Sequence, residues 1–163
     1  MMISVIGGEA SGEAALGAAE AVGREIARRG ATLVCGGRGG VMEAACRGAR
    51  AEGGHTIGIM PGRNRDESPP NPHVEFPVFT GLGFTRNVIV VLSGEAVIAI
   101  DGSYGTLSEI AFAMIHDVPL VGLDTWGFDY RGHDAEKIVR VTTAQEAVEK
   151  AIEMAKQRGG GAK

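Results

Sequence analysis

Residues 95–123 read EAVIAIDGSYGTLSEIAFAMIHDVPLVGL. An apolar run, 95–100, stops at two glycines. A helical pattern follows from Thr106 to about His116, and then a second apolar run, 119–123. Strand, glycine turn, helix, strand is the repeating unit of a parallel sheet, because parallel neighbours need a crossover between them. The strands here are apolar at every position instead of every second one, as in a sheet covered on both faces.

The same unit recurs outward from this stretch. ISVIGG (3–8) is a buried strand ending in glycines, and helical spacing of Leu16, Ala19, Val22 and Ile26 follows up to Gly30, a left-handed cap. ATLVCGG (31–37) is a strand, VMEAACRGARAEGG (41–54) a helix and HTIGIMP (55–61) a strand. Three prolines and several charges make 62–73 a surface loop. VEFPVFT (74–80) suits an edge, since Pro77 has no N–H for a central ladder. GFTRNVIVVLSG (83–94) reads as one helix with Val88, Val91 and Leu92 facing inward. KIVRVT (137–142) is a strand, and Thr143 with Glu146 forms a capping box for the helix 144–157. The tail 158–163, RGGGAK, reads as disordered. The expected fold is α/β: one Rossmann-like, three-layer, doubly wound and mostly parallel domain over residues 1–157, with its ligand beyond the carboxyl ends of the strands.

Composition narrows the functions. The chain has 163 residues and a net charge of −4 without a basic run, which argues against nucleic acid and anionic membranes as partners. No apolar run reaches membrane-spanning length, and MMISVIGGEASG lacks the features of a signal peptide, so a cytoplasmic location is expected. Cys35 and Cys46 are read as reduced core thiols, and His55, His73, His116 and His133 have no ligand spacing, so no metal is expected.

Three strand ends carry glycine turns: IGGEASG (6–12), CGGRGGVM (35–42) and IDGSYGT (100–106). A helix N-terminus behind such a turn offers unpaired N–H groups and partial positive charge to an oxyanion. The expected contacts are Gly36, Gly37, Arg38, Gly39, Gly40, Gly102, Ser103, Tyr104, Gly105 and Thr106, with Gly7, Gly8 and Ser11 from the first loop. None of the turns continues with the Lys-Ser/Thr of a Walker A loop. The dinucleotide fingerprint fails at Glu9 and Met42, and the second strand ends in Cys35 instead of an acidic residue. Ser103 in DGSYG approximates a nucleophile elbow, with Asp124 or Asp129 and His133 in hydrolase order, but Asp101 stands where a small residue belongs.

Together, residues 36–61, 85–87 and 101–123 resemble the Lonely-Guy-like phosphoribohydrolases, long labelled lysine decarboxylases, whose relatives include a molybdenum-cofactor carrier protein. Gly102, Gly105, Thr106 and Glu109 match the hallmark P-G-G-x-G-T-x-x-E, and Arg86 falls at its upstream arginine. Asp101 and Ser103 depart from its proline and second glycine. The resemblance implies a phosphoribohydrolase, releasing free base and ribose 5-phosphate from a nucleoside 5′-monophosphate, or a carrier that binds a molybdopterin-type ligand without cleaving it. It implies Glu109 and Arg86 as catalytic residues, with Glu109 in the first turn of its helix. It also implies a phosphorylated small-molecule partner, no required cofactor, and a homodimer or higher oligomer. Pyridoxal-phosphate chemistry needs a lysine, and Lys137, Lys150, Lys156 and Lys163 all lie beyond the glycine turns.

Overall fold

Every apolar run becomes a strand of one sheet. The computed structural model describes residues 1–128 and 137–160. Its strands are β1 (Met2–Gly7), β2 (Thr32–Cys35), β3 (Thr56–Met60), β4 (Phe76–Phe79), β5 (Ala96–Asp101), β6 (Leu120–Thr125) and β7 (Ile138–Val141). They lie in the order β4-β3-β2-β1-β5-β6-β7, with each neighbouring pair parallel. The helices are α1 (Glu13–Arg28), α2 (Val41–Ala51), α3 (Asn87–Ser93), α4 (Tyr104–Ile115) and α5 (Ala144–Gly160), with a 3-10 helix at Gly83–Arg86.

Two apolar cores explain why the strands do not alternate with polar residues. Ile98 and Ile100 of β5 pack with Val22 and Ile26 of α1, Cys46 of α2 and Val148 of α5. Val97 and Ala99, pointing the other way, pack with Val90 and Val91 of α3 and Ile110 and Ala113 of α4. Both faces of the strand are covered, so both sets of side chains are apolar. Cys35 and Cys46 sit in the first core as free thiols, their sulfurs 3.5 Å apart. The chain winds outward one way through β2, β3 and β4, and the other way from β5. The β1–β5 seam is therefore the switch point of the sheet, where a crevice opens.

The edge position of Pro77 holds: it lies in β4 in register with Gly58 of β3. Gly30 follows α1 at φ 70°. Thr143 Oγ1 accepts from Glu146 N at 3.2 Å, while the Glu146 carboxylate accepts from Thr142 N at 3.2 Å.

Four local readings change. The segment 83–94 is not one helix, because its first turn closes as a 3-10 helix, with Thr85 N donating to Leu82 O at 3.1 Å. After that turn Val90 and Val91 face the core and Leu92 is exposed, so the inward face is rotated from the one expected. The α4 helix begins at Tyr104, which puts Glu109 in its second turn, not its first. The α5 helix continues to Gly160, taking in residues 158–160 of the expected tail, and residues 161–163 lie outside the described residues. Among the described residues no helix is long and apolar enough to cross a membrane.

Candidate functional site

At the C-terminal end of the β1–β5 seam lies a cavity of about 690 Å³. One wall is the start of α4. Glycine at 102 is required there: its φ is 138°, and a Cβ would stand 2.7 Å from the Thr106 side chain. Ser103 N is held by Thr106 Oγ1 at 3.4 Å, whereas the N–H groups of Tyr104 and Gly105 have no protein acceptor among the described residues. These are the first donors of a twelve-residue helix and they border the cavity.

The same cavity is lined by Arg86, from the end of the 3-10 helix, and by Glu109, further along α4. Both are buried, at 5 % and 6 % exposure. Arg86 Nη2 donates to Gly36 O at 3.3 Å and Nη1 to Asn87 Oδ1. Nη1 lies 3.6 Å from Glu109 Oε1. Arg86 Nε is buried and has no hydrogen-bond partner among the described residues. Arg86 therefore keeps one donor unspent in a residue that lines the cavity.

Burial dominates the protonation of this pair. It pushes the Glu109 carboxyl up from 4.5 to about 8, and the neighbouring Arg86 cation pulls it only part of the way back. Burial also works against the Arg86 charge, yet a guanidinium stays protonated at any physiological pH. At neutral pH the ligand-free pair is thus a cation beside a largely protonated acid. That combination favours an anion, within a protein that is acidic overall.

The expected site residues divide into three groups. Gly7, Gly8, Arg38, Arg86, Gly102, Ser103, Tyr104, Gly105, Thr106 and Glu109 line the cavity together. Gly36, Gly37 and Gly40 lie behind it. Gly36 supplies the carbonyl that holds Arg86, and Gly37 N donates to Cys35 Sγ at 3.3 Å. Gly40, at φ 64°, lets the second glycine turn press against the first, since a Cβ there would meet Gly8 O at 2.3 Å. Ser11 bonds Gly8 O at 3.2 Å and shapes the first turn, and Gly39 faces an adjoining cavity of about 590 Å³. The two cavities share Glu9 and Arg38, which form an ion pair at 2.7 Å. Asn87, Ser108, Phe84 and Glu9 also line the main cavity and were not singled out in the sequence. Asn87 stood beside Arg86 in TRN, and its being polar in an otherwise apolar helix was the available signal.

Asp101 lies in the left-handed region at φ 51°, its carbonyl accepting from Thr125 Oγ1 at 2.5 Å. Proline is confined to φ near −65°, so the hallmark proline does not fit this backbone. Asp101→Pro should lower stability by about 2–4 kcal/mol, whereas Asp101→Gly should raise it by about 0.5–1 kcal/mol, both read from urea unfolding. Equal midpoints for the two variants would contradict the strained backbone.

Ser103 is extended, at φ −113° and ψ −167°. The strained nucleophile of an elbow is absent, because the strain sits two residues earlier. Of its proposed partners, Asp124 is exposed at the end of β6, and Asp129 and His133 lie outside the described residues. Lys137 pairs with Asp117 at 3.0 Å and Lys150 with Glu153 at 2.8 Å. No lysine lines the cavity among the described residues.

The chain is similar to proteins of two kinds. A molybdenum cofactor binding protein from Rippkaea orientalis is 33 % identical with a TM-score of 0.80, the match covering 96 % of each chain. The molybdenum cofactor carrier protein of Chlamydomonas reinhardtii is 31 % identical with a TM-score of 0.83, over 96 % of this chain and 98 % of that one. A cytokinin riboside 5′-monophosphate phosphoribohydrolase of Mycobacterium marinum is 34 % identical over 116 residues, 67 % of this chain but only 62 % of the relative. The model of the SLOG cluster4 family matches residues 1–157, and the chain belongs to that family.

Proposed function

We propose that the protein is a nucleoside 5′-monophosphate phosphoribohydrolase. The observation that carries this reading is the buried Arg86–Glu109 pair, 3.6 Å apart, in one cavity with the open N–H groups of α4. In this reading the 5′-phosphate lies against the amides of residues 102–106, and the guanidinium of Arg86, a residue that lines the same cavity, attracts a phosphate or ribose oxygen. Breaking the N-glycosidic bond needs a proton on the departing base while the ribose turns oxocarbenium-like. Glu109 gives that proton and becomes a carboxylate, which stabilises the ribosyl cation. Water adds at C1′ and its proton returns to Glu109. The raised carboxyl suits Glu109 to the role of acid, and kcat/KM should fall as pH rises through about 8. Its hydrolase relatives support this reading.

A second reading is a carrier for a phosphorylated pterin-type cargo, favoured by Asp101 and Ser103 in the hallmark loop and by the end-to-end match to carrier proteins. In either case we infer a homo-oligomer working in the cytoplasm, with Leu92 of α3 and Ile115 of α4 as exposed apolar side chains. Chromatographic detection of free base from AMP, GMP, CMP and UMP, alongside calorimetry with the same nucleotides, tests the proposal. Release from at least one nucleotide is expected. Tight binding without release would overturn the hydrolase in favour of the carrier.

A further inference from the structure

Asn87 occupies the junction where the 3-10 helix becomes α3, and it is 3 % exposed. A buried amide has to satisfy both of its ends. Its Oδ1 accepts from Arg86 Nη1. Its Nδ2 donates to Ser108 Oγ at 2.9 Å and to Gly105 O at 3.4 Å, while Ser108 Oγ donates to Gly105 O at 2.7 Å. The direction of this chain follows from its ends: a guanidinium can only donate and a carbonyl can only accept. The residue between them has to present an acceptor on one side and a donor on the other. An amide does both, and a carboxylate or an aliphatic side chain does not.

The consequence falls on Glu109. Arg86 Nη1 stops 3.6 Å from Glu109 Oε1, beyond the roughly 2.7–2.9 Å of a charge-assisted hydrogen bond. Whenever Glu109 ionises, two opposite charges in a buried, low-dielectric setting attract strongly enough to close such a gap when nothing restrains them. Here the guanidinium is restrained at both terminal nitrogens, by Asn87 Oδ1 on one and Gly36 O on the other. Through Nδ2 the Asn87 end of that restraint is anchored to the first two turns of α4, the helix that carries Glu109 and the open N–H groups.

We propose that Asn87 is a positioning residue that holds Arg86 short of a full ion pair with Glu109, so that the Glu109 carboxyl, in a residue lining the cavity, stays unpaired for a ligand. Its part in turnover rests on the hydrolase reading, since a Glu109 locked onto Arg86 would be a carboxylate over more of the pH range, with less of the acid form to give a proton. The charged or titratable groups that act on the pair are Cys35 from β2 and Glu9 and Arg38 from the glycine turns, and Asp101 and Tyr104 line the same cavity.

The test is a ¹³C NMR titration of the Glu109 side-chain carboxyl in the full-length protein without ligand. The wild-type midpoint is expected at about 8. In Asn87→Ala the released guanidinium should close on Glu109, and the midpoint should fall by about one pH unit or more. Ser108→Ala, which keeps the Arg86 contact but removes the shorter of the two anchors on α4, should move it the same way by a smaller amount. It also serves if Asn87→Ala fails to fold. A merely structural asparagine would cost stability without moving the midpoint. A midpoint that stays within about 0.3 of a pH unit, or rises, in the folded variants overturns the proposal. The titration reads no turnover, so the two ideas fail separately. Base release with an unmoved midpoint removes the role of Asn87 alone, and a shifted midpoint without base release removes the hydrolase alone.

Discussion

Glu109→Gln is expected to lower base release by about 10²–10⁴-fold and yet to make the protein more stable above neutral pH. The two effects have one origin. A buried carboxyl lifted from 4.5 to about 8 keeps its proton in the folded chain at pH values where the unfolded chain has already released it. The folded state therefore binds more protons between those two values, and stability falls as pH rises across that window, levelling off above about 8. The full span corresponds to at most about 5 kcal/mol. Glutamine fills the same space and never ionises, so the variant should lose most of this slope. Urea unfolding from pH 5 to pH 9, for wild type and variant side by side, measures the difference. Parallel curves would mean that Glu109 is not held protonated, and its role as proton donor would fall with that.

Arg86→Ala has the second-largest expected effect, a loss of about 10²–10³-fold in affinity for the nucleotide. The substitution removes the guanidinium that faces the α4 amides. It leaves Gly36 O and Asn87 Oδ1 without their donor, and it takes away the one charge that lowers the Glu109 carboxyl, which should rise further. Arg86→Lys keeps a positive charge but loses the planar fork and Nε, so it should recover only part of the affinity. Calorimetry with AMP at pH 7 separates the three proteins. Equal affinities would show that the anion is held by backbone amides alone.

Most of the architecture was legible in residue pattern, because a strand buried on both faces has to be apolar at every position. Val97 and Ile98 point in opposite directions and still both meet hydrocarbon. The glycine turns also read correctly as a group at one end of the sheet, and Gly102 and Gly40 do take positive φ. What pattern could not reach was rotation. Whether Val88 or Val90 faces inward depends on one tight turn before α3, and a 3-10 turn advances the chain differently from an α turn without changing which residues are apolar. Asn87 was overlooked for a related reason. Its value lies in partners eighteen and twenty-one residues away, on another helix. The onset of α4 was misplaced because Tyr104 and Gly105 resemble turn residues until the cap at Ser103 is seen.

The seam between β1 and β5 carries one more consequence. It is flanked by segments from around residues 7, 38, 86 and 105, so no contiguous piece of the polypeptide holds more than part of the crevice. A chain nicked in the proline-rich loop at 62–73 would leave the arginine and the acid on one fragment and two glycine turns on the other. Neither fragment should take up nucleotide until the two reassociate. Ligand uptake would then serve as a reporter of complete folding, lagging any signal from local helix formation.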